Sequence, residues 1–303
     1  MRILISGSSG LIGSALVPAL TKRGHDVTRL VRTSAEVAGG VVWNPEAGML
    51  DLSRQAPFDA VIHLAGENIG AKRWTASRKV RLRESRTKGT ALVAEMIARM
   101  EPPPALFISA SAIGYYGDRG DEVLTEENKA GSGFLAELCQ EWEAAAQPAR
   151  KAGIRTVCIR TGMVLASHGG ALPRMLPLFK LGLGGRLGSG RQYMSWITLE
   201  DVVGAILHIL FEPRLAGPVN LVSPHPVTNS EFTKVLAGVL HRPAISPAPR
   251  WALRMATGEM ADPLLLYSAR VEPAKLLESD HRFEDPELGA ALQRILRGMP
   301  SHS

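Results

Sequence analysis

The sequence predicts an α/β protein built on a doubly wound parallel sheet, followed by a smaller, mainly helical C-terminal region. Short apolar segments with strand character alternate with amphipathic helical segments up to about residue 165. This alternation is typical of a parallel sheet covered by helices on both faces. Beyond Gly162 the sequence becomes rich in Gly, Leu and Pro, and helical patterns dominate from residue 243 to residue 297.

The elements follow one another in a regular order. Predicted strands cover residues 2–6, 26–31, 41–43, 59–64, 105–109, 155–160 and 218–222. Predicted helices cover residues 11–23, 75–100, 132–152, 199–211 and 228–240. The last helix begins with a capping box, because Glu231 follows Thr228 by three residues. Residues 169–192 are expected to form loops, either around a ligand or on the surface.

We divide the sequence into two regions. Residues 1–165 form the first, to which the segment at about 199–222 is expected to return, and residues 166–303 form the second. The chain is long enough for one large domain with a smaller appendage. The three residues Ser301-His302-Ser303 are expected to be disordered.

Composition and charge exclude several classes of protein. Of the 303 residues, 45% are hydrophobic, yet no apolar run reaches the ~18 residues that a membrane span needs. The formal net charge of +6 is spread along the chain, so a nucleic-acid partner is not expected. The histidines lack metal-ligand spacing, and no metal is expected. The chain enters a strand at once, without a secretory signal, which predicts a cytoplasmic protein. Its oligomeric state stays open.

A glycine-rich loop joins the first strand to the first helix. It reads Gly7-Ser8-Ser9-Gly10-Leu11-Ile12-Gly13. Gly7 permits a tight turn, Gly10 lets the backbone approach a pyrophosphate, and Gly13 lets the helix pack closely on the strand. The free N–H groups of the helix N-terminus attract phosphate. The loop therefore predicts a Rossmann-type dinucleotide site, against the alternative of a strand–helix turn without ligand.

The end of the second strand bears on the choice of cofactor. NAD-binding units usually place a carboxylate there for the ribose 2′-hydroxyl. This sequence has Arg32 instead, and a guanidinium can pair with a 2′-phosphate. We therefore predict NADP(H) in preference to NAD, with a solvated loop arginine as the alternative.

The Gly-x-x-Gly-x-x-Gly spacing resembles that of the short-chain dehydrogenase/reductase superfamily. Two further marks follow later strands, His63-Leu64-Ala65-Gly66 and Ser109-Ala110-Ser111-Ala112, and a third, Lys88-Gly89-Thr90, lies in the long predicted helix. The resemblance places Leu64, Ala65 and Gly66 beside the adenine side of the cofactor. The predicted cofactor-binding set is completed by Ser9, Leu11, Ile12, Arg86, Ser109 and Val164. Arg86 stands at the Asn position of an Asn-x-x-Gly-Thr pattern, with a helix-surface charge as the alternative.

The closer resemblance is to an atypical subgroup, the epimerase-family proteins similar to human short-chain dehydrogenase/reductase family 39U. Its marks are Leu64-Ala65-Gly66-Glu67-Asn68-Ile69, Arg73-Trp74, Ser85-Arg86, Trp142-Glu143-Ala144-Ala145, Gly182-Leu183-Gly184-Gly185, Ser195-Trp196-Ile197 and the C-terminal stretch from Gly258-Glu259-Met260 to Pro286-Glu287-Leu288. The likeness spans essentially the whole chain. It implies that a small-molecule substrate binds between the Rossmann domain and the C-terminal region.

The usual catalytic pair of that superfamily, Tyr-x-x-x-Lys, is absent. None of the four tyrosines has a lysine four residues later. The remaining candidates are Ser111, Tyr116 and Glu67, with a strand-end hydroxyl, an aromatic anchor and a surface carboxylate as the respective alternatives. The sequence thus predicts an NADP(H)-dependent oxidoreductase or epimerase. A non-catalytic NADP(H)-dependent sensor or regulator is the second hypothesis.

Overall fold

The structure is a computed structural model in which residues 1–33 and 39–297 are described. Its strands are β1 Arg2–Ser6, β2 Asp26–Val31, β3 Val41–Asn44, β4 Met49–Leu50, β5 Ala60–His63, β6 Leu106–Ala112, β7 Val123–Leu124, β8 Arg155–Thr161, β9 Met163–Leu165, β10 Tyr193–Met194, β11 Trp196–Thr198, β12 Gly217–Leu221, β13 Val227–Thr228 and β14 Arg270–Val271. Its helices are α1 Leu11–Lys22, α2 Ala76–Ala98, α3 Phe134–Ala144, α4 Gln147–Lys151, α5 Leu172–Lys180, α6 Leu199–Phe211, α7 Asn229–Leu240, α8 Arg250–Thr257, α9 Ala274–Glu278 and α10 Leu288–Arg297. The predicted disorder of Ser301–Ser303 lies outside the described residues.

The central sheet confirms the predicted fold class. Within the described residues it has eight strands, in the order β12-β8-β6-β5-β1-β2-β3-β4. The pairs β1–β2, β1–β5, β5–β6 and β2–β3 are parallel, and the short edge strand β4 pairs antiparallel with β3. The chain leaves β1 first towards β2 and later continues on the other side of β1 with β5. In doubly wound sheets a ligand crevice lies at such a reversal, outside the carboxyl ends of the strands.

The central strands are apolar because both of their faces are covered. All four residues of β5 are buried, and so are Ile3 to Ser6 of β1. On α1, Leu16, Val17 and Leu20 recur at helical spacing and are buried. A continuous apolar run in the strands and a single apolar stripe on the helix are the patterns that this layered arrangement requires.

The helix predicted over residues 132–152 is two helices, α3 and α4. Pro148 lies in the first turn of α4. In an unbroken helix this proline would leave the carbonyl group of Ala144 without its hydrogen-bond donor. In a first turn the missing N–H has no helical partner to lose, so the chain starts a new helix.

The expectation of loops throughout residues 169–192 is wrong for the part that forms α5. Leu172, Leu176 and Phe179 are buried and lie on one helical face. Pro173 falls in the first turn, where a proline is tolerated. Burial of that shared apolar face favours a helix over the loop that the local composition suggested.

The chain forms two compact units. The first unit comprises Met1–Ala112, Glu137–Arg160 and Ile206–Val219, and the second comprises Ile113–Ala136, Thr161–Ala205 and the chain from Asn220 onward. Residues 113–136, which the sequence placed in the first region, thus belong to the second unit. The first unit holds most of the central sheet and the glycine-rich loop.

The second unit has its own apolar core. Trp196, Phe232 and Leu292 are fully buried there. Three short strand pairs, β10–β13, β9–β11 and β7–β14, lie in this unit. The predicted capping box is confirmed: Glu231 N–H donates to the hydroxyl of Thr228 at 3.2 Å, and Thr228 N–H donates to the Glu231 carboxylate at 2.7 Å. Among the helices that the structure describes, none has the length and apolarity needed to cross a membrane.

A buried polar chain runs through the second unit. The Tyr116 hydroxyl donates to Asn220 Oδ1 at 2.8 Å, and Asn220 N–H donates to Glu126 Oε1 at 2.9 Å. Glu126 is 5% exposed, and its Oε2 has no hydrogen-bond partner among the described residues. Burial raises the pKa of Glu126, against the opposing effect of the hydrogen bond from Asn220.

This raised pKa predicts a pH-dependent cost to stability. Because the folded state favours the protonated carboxyl group, the contribution of Glu126 to stability is complete below its unfolded pKa of about 4.3 and is lost as the pH rises through its folded pKa. Glu126→Gln cannot ionise. At each pH we compare the melting temperature of Glu126→Gln with that of the unaltered protein. We expect this difference to shift in favour of the variant as the pH is increased from acid to neutral. The exposed neighbour Glu127 supplies the control Glu127→Gln, and a Glu126→Gln difference that does not vary with pH would contradict the expectation.

Candidate functional site

Two neighbouring parallel strands of the first unit, β1 and β5, end at the same level, and β6 continues for three residues beyond it. The strand register aligns Ser6 with His63 and His63 with Ser109. His63 is completely buried, its Nδ1 lies 2.7 Å from Ser6 Oγ, and burial lowers its pKa to about 4, so the ring is neutral at physiological pH. This neutral hydrogen bond joins β1 to β5 immediately before their carboxyl-end turns. The segments that follow these strands therefore meet at one edge of the sheet.

The glycine-rich loop begins at this edge and is closely packed. Gly7 has a φ of +71°, and a Cβ atom there would lie 2.7 Å from the carbonyl carbon of Leu64. A Cβ atom on Gly13 would lie 2.2 Å from the carbonyl oxygen of Gly7. Both contacts are with backbone atoms, which cannot move aside as a side chain can. The loop has this shape because glycine stands at both positions.

The helix that follows the loop has an unsatisfied N-terminus. Gly10 is the N-cap of α1, no side chain caps the helix, and its first turn holds no acidic residue. The first-turn N–H groups therefore remain available, with the positive end of the helix dipole behind them. The predicted cofactor residues that are exposed or partly exposed around this point are Gly7, Ser9, Gly10, Leu11, Ile12, Leu64, Ala65 and Gly66. This cradle fits the pyrophosphate of a dinucleotide.

Arg32 lies at the same edge. The register aligns Ser6 with Leu30, and Arg32 directly follows the end of β2 at Val31, so it lies at the carboxyl-end edge from which the glycine-rich loop also leaves β1. Its side chain is exposed. The structure thus places an exposed cation at the same sheet edge as the glycine-rich loop, at the end of the second strand, where NAD-binding units usually bear a carboxylate.

Arg86 does not point a free guanidinium at this edge. Its Nη1 donates to the carbonyl of Leu82 at 3.0 Å and its Nη2 to the carbonyl of Glu67 at 3.0 Å. The guanidinium lies 4.9 Å from the centre of the Trp142 ring, only 8% of the residue is exposed, and burial lowers its pKa to about 10. These contacts hold the Arg86 side chain against the turn that follows β5. The packing there is close, because a Cβ atom on Gly66 would lie 3.7 Å from the Arg86 side chain.

Glu67 is paired with a cation. Its carboxylate forms a salt bridge with Arg78 of α2, whose Nη2 also donates to the carbonyl of Asn68 at 2.7 Å. The Glu67 side chain is 34% exposed. A partly exposed carboxylate held by an arginine suits the anchoring of the turn as well as it suits proton transfer.

Ser111 belongs to a buried polar cluster that the sequence did not predict. Its hydroxyl donates to Glu143 Oε1 at 2.7 Å. Arg160 donates to both oxygens of the same carboxylate, at 2.8 and 2.9 Å. The Arg160 side chain is 3% exposed and that of Glu143 is 12% exposed. The proton of Ser111 is thereby directed at Glu143, so the hydroxyl offers only its lone pairs to any other group.

The sequence contained a signal for this cluster. Three glutamates of α3, Glu137, Glu141 and Glu143, lie at helical spacing, and the first two are at the surface, near Arg83. Glu143 instead lies on the same side of α3 as Trp142 and Cys139, and both of these residues are buried. Arg160 follows the buried apolar residues Val157 to Ile159 of β8 and is buried with them, and a buried cation requires a partner.

The remaining predicted residues are Ser109, Tyr116 and Val164. Ser109 is completely buried within β6, at the level of His63. Tyr116 is completely buried in the second unit, where its hydroxyl donates to Asn220, an arrangement that favours an aromatic anchor over a substrate contact. Val164 lies in β9 of the second unit and pairs with Ile197.

Comparison with known proteins agrees with this geometry. Residues 3–222 match the NAD dependent epimerase/dehydratase family. The chain belongs to that family. Residues 248–295 of this epimerase-family chain also match a domain of unknown function, DUF1731.

The relatives confirm the subgroup that the sequence resembled. An epimerase family protein of Mycobacterium leprae is 47% identical over 290 residues, which are 96% of this chain and 94% of that protein. The human epimerase family protein SDR39U1 is 35% identical over 299 residues, 98% of this chain and 100% of its own. The crystal structure of that human protein (isoform2) with NADPH superposes with a TM-score of 0.91, at 34% identity and with 99% and 100% coverage.

Proposed function

We propose that this epimerase-family protein binds NADP(H) and acts as an oxidoreductase or epimerase of the atypical short-chain dehydrogenase type on a small molecule. The observation that carries the proposal is the combination of the uncapped α1 N-terminus, the glycine cradle and the exposed Arg32 at one sheet edge. NADPH in the solved human relative supports it. When bound, the nicotinamide would supply a hydride acceptor or donor.

The residues of this chain divide the work of holding the cofactor. Gly7, Gly10 and Gly13 leave room for the pyrophosphate, and the first turn of α1 donates N–H groups to it. Arg32 would pair with the 2′-phosphate. Arg86 acts beneath the turn after β5, by holding the carbonyl of Glu67 and stacking on Trp142.

The preference for NADP(H) has a direct test. We expect Arg32→Ala to weaken NADPH binding by about tenfold or more, because a charge-assisted contact is worth about 1.5–3 kcal/mol. NADH, which lacks the 2′-phosphate, should bind the variant and the unaltered protein alike. Calorimetric titration with both cofactors measures the effect, and the exposed Arg54, in the loop before β5, supplies the charge-matched control Arg54→Ala. Equal affinity of the unaltered protein for NADPH and NADH would overturn the preference.

A second candidate function is that of a non-catalytic NADP(H)-dependent sensor or regulator. It is favoured by the missing Tyr-x-x-x-Lys pair together with the commitment of the Ser111 hydroxyl to Glu143. Turnover of a carbonyl or nucleotide-sugar substrate with NADPH, in a panel of both classes, supports the enzyme. Tight NADPH binding without any turnover, together with a protein partner whose affinity changes with NADPH, supports the sensor.

A further inference from the structure

Arg270 of the second unit is an arginine whose charge is unmatched. It lies on β14, beside Val123 of β7, and its side chain is partly buried. Its Nε atom is buried and has no hydrogen-bond acceptor among the described residues, and within the same residues its guanidinium forms no ion pair. A buried donor on a charged group is costly when it is left unpaired. A group of this kind in a folded protein therefore calls for an explanation, such as a bound ligand or ion.

Other arginines of the described chain show what is missing. Arg78 and Arg83 also have a buried Nε without a hydrogen-bond acceptor, but each forms a salt bridge, with Glu67 and with Glu141 respectively. In the second unit, Arg119 is held by Glu122 at 2.7 Å. Each of these partly buried arginines therefore has a carboxylate partner. Arg270 has none among the described residues.

The guanidinium of Arg270 is nevertheless held in place. It lies 5.1 Å from the centre of the Tyr193 ring, within the range of a cation–π contact. The backbone beneath the pair is fixed, because Tyr193 N–H donates to Ser268 Oγ at 2.9 Å and Ala269 N–H donates to the carbonyl of Tyr193 at 3.4 Å. Val271 N–H donates to Ser195 Oγ at 2.9 Å on the other side of Arg270. A guanidinium positioned in advance loses less entropy when it binds a ligand.

We propose that Arg270, stacked on Tyr193, is a binding site for an oxyanion, the phosphate or carboxylate group of a small molecule. The planar guanidinium offers parallel N–H donors that match two oxygens of either group, and its stacking on an aromatic ring leaves these in-plane donors available. The bound anion supplies the missing countercharge. This inference depends on the proposed function only for the further statement that the anion belongs to a substrate.

The test measures melting temperature against anion concentration. The full-length protein and Arg270→Met are titrated separately with inorganic phosphate and with acetate, at constant ionic strength and without cofactor. Methionine keeps the apolar stem and removes the charge. We expect both oxyanions, or phosphate alone, to raise the melting temperature of the unaltered protein, with an apparent affinity that falls about tenfold or more in Arg270→Met. The phosphate loop contributes equally to both proteins, so their difference reports on Arg270 and does not depend on whether NADPH binds.

The control is Arg242→Met, which removes an exposed arginine of the same unit. It should keep the full response to anions. In the absence of anion we expect Arg270→Met to melt at the same temperature as the unaltered protein or higher, because an unmatched charge has been removed; a purely structural stacking role predicts a lower one. The proposal is overturned by any of three results: no response of the unaltered protein to either anion, an equal response in Arg270→Met, or an equal loss in Arg242→Met.

Discussion

Replacing Gly13 with alanine is expected to distort the glycine-rich loop. The added Cβ atom would lie 2.2 Å from the carbonyl oxygen of Gly7 and 2.8 Å from the Cα atom of Ser8. Both are backbone atoms of the loop itself, so α1 must move away from the strand or the loop must open. Overpacking of this kind costs about 1–3 kcal/mol. If that cost falls on cofactor binding, NADPH affinity drops about 10- to 100-fold, since 1.4 kcal/mol corresponds to a factor of ten.

The control for this substitution is another glycine inside a helix. Gly238 lies in α7, and a Cβ atom there would meet nothing within 4 Å. Gly238→Ala should leave NADPH affinity unchanged and stabilise the protein slightly, because alanine has the higher helix propensity. Calorimetric titration of both variants gives the comparison. Unchanged NADPH affinity in Gly13→Ala would mean that the loop is not the cofactor site.

The largest loss of stability is expected for Arg160→Met. The substitution leaves the carboxylate of Glu143 nearly buried and without the two hydrogen bonds that Arg160 donates. Breaking a buried ion pair by removal of one partner costs about 3–5 kcal/mol. Urea denaturation followed by circular dichroism should show that decrease in the free energy of unfolding. Ser111 remains as a donor to Glu143 and cannot replace a bidentate guanidinium.

Two further variants separate the ion pair from a general effect of losing an arginine. Arg254→Met removes an arginine paired with Asp262 at the surface, 55% exposed, and should cost no more than about 1 kcal/mol. The double variant Arg160→Met with Glu143→Met should be more stable than Arg160→Met alone, because it no longer buries an unmatched charge. A loss in Arg160→Met no larger than that in Arg254→Met would contradict the expected importance of the cluster.

Most of the first unit could be predicted because its signals are local. Gly7, Gly10 and Gly13 lie within one loop, and the strand and helix that flank it have clear apolar patterns. Arg32 could be singled out because it directly follows a recognisable strand. In each case the residues that define the feature are neighbours along the chain.

Elements whose form depends on distant partners were missed. The strands β7 and β14 have two residues each and exist only because they pair across about half of the chain. The helix α5 lies in a stretch whose Gly, Leu and Pro content suggested loops, and its buried face favours a helix only once there is a core to cover. A pattern within the sequence window cannot report a contact outside it.

The glycine-rich loop shows what the sequence by itself determined. The dinucleotide-type turn and the parallel sheet around it follow from spacing along the chain, and the family follows from the resemblance of its motifs. Tertiary structure decided the electrostatic environment of the charged side chains. It joined Ser111 and Arg160 to Glu143, bound the guanidinium of Arg86 to the carbonyl of Glu67, and placed Arg270 beside Tyr193 with no carboxylate partner among the described residues. The physical reason is that the energy of a buried charge depends on the groups that surround it in space, and those groups come from segments far apart in the chain.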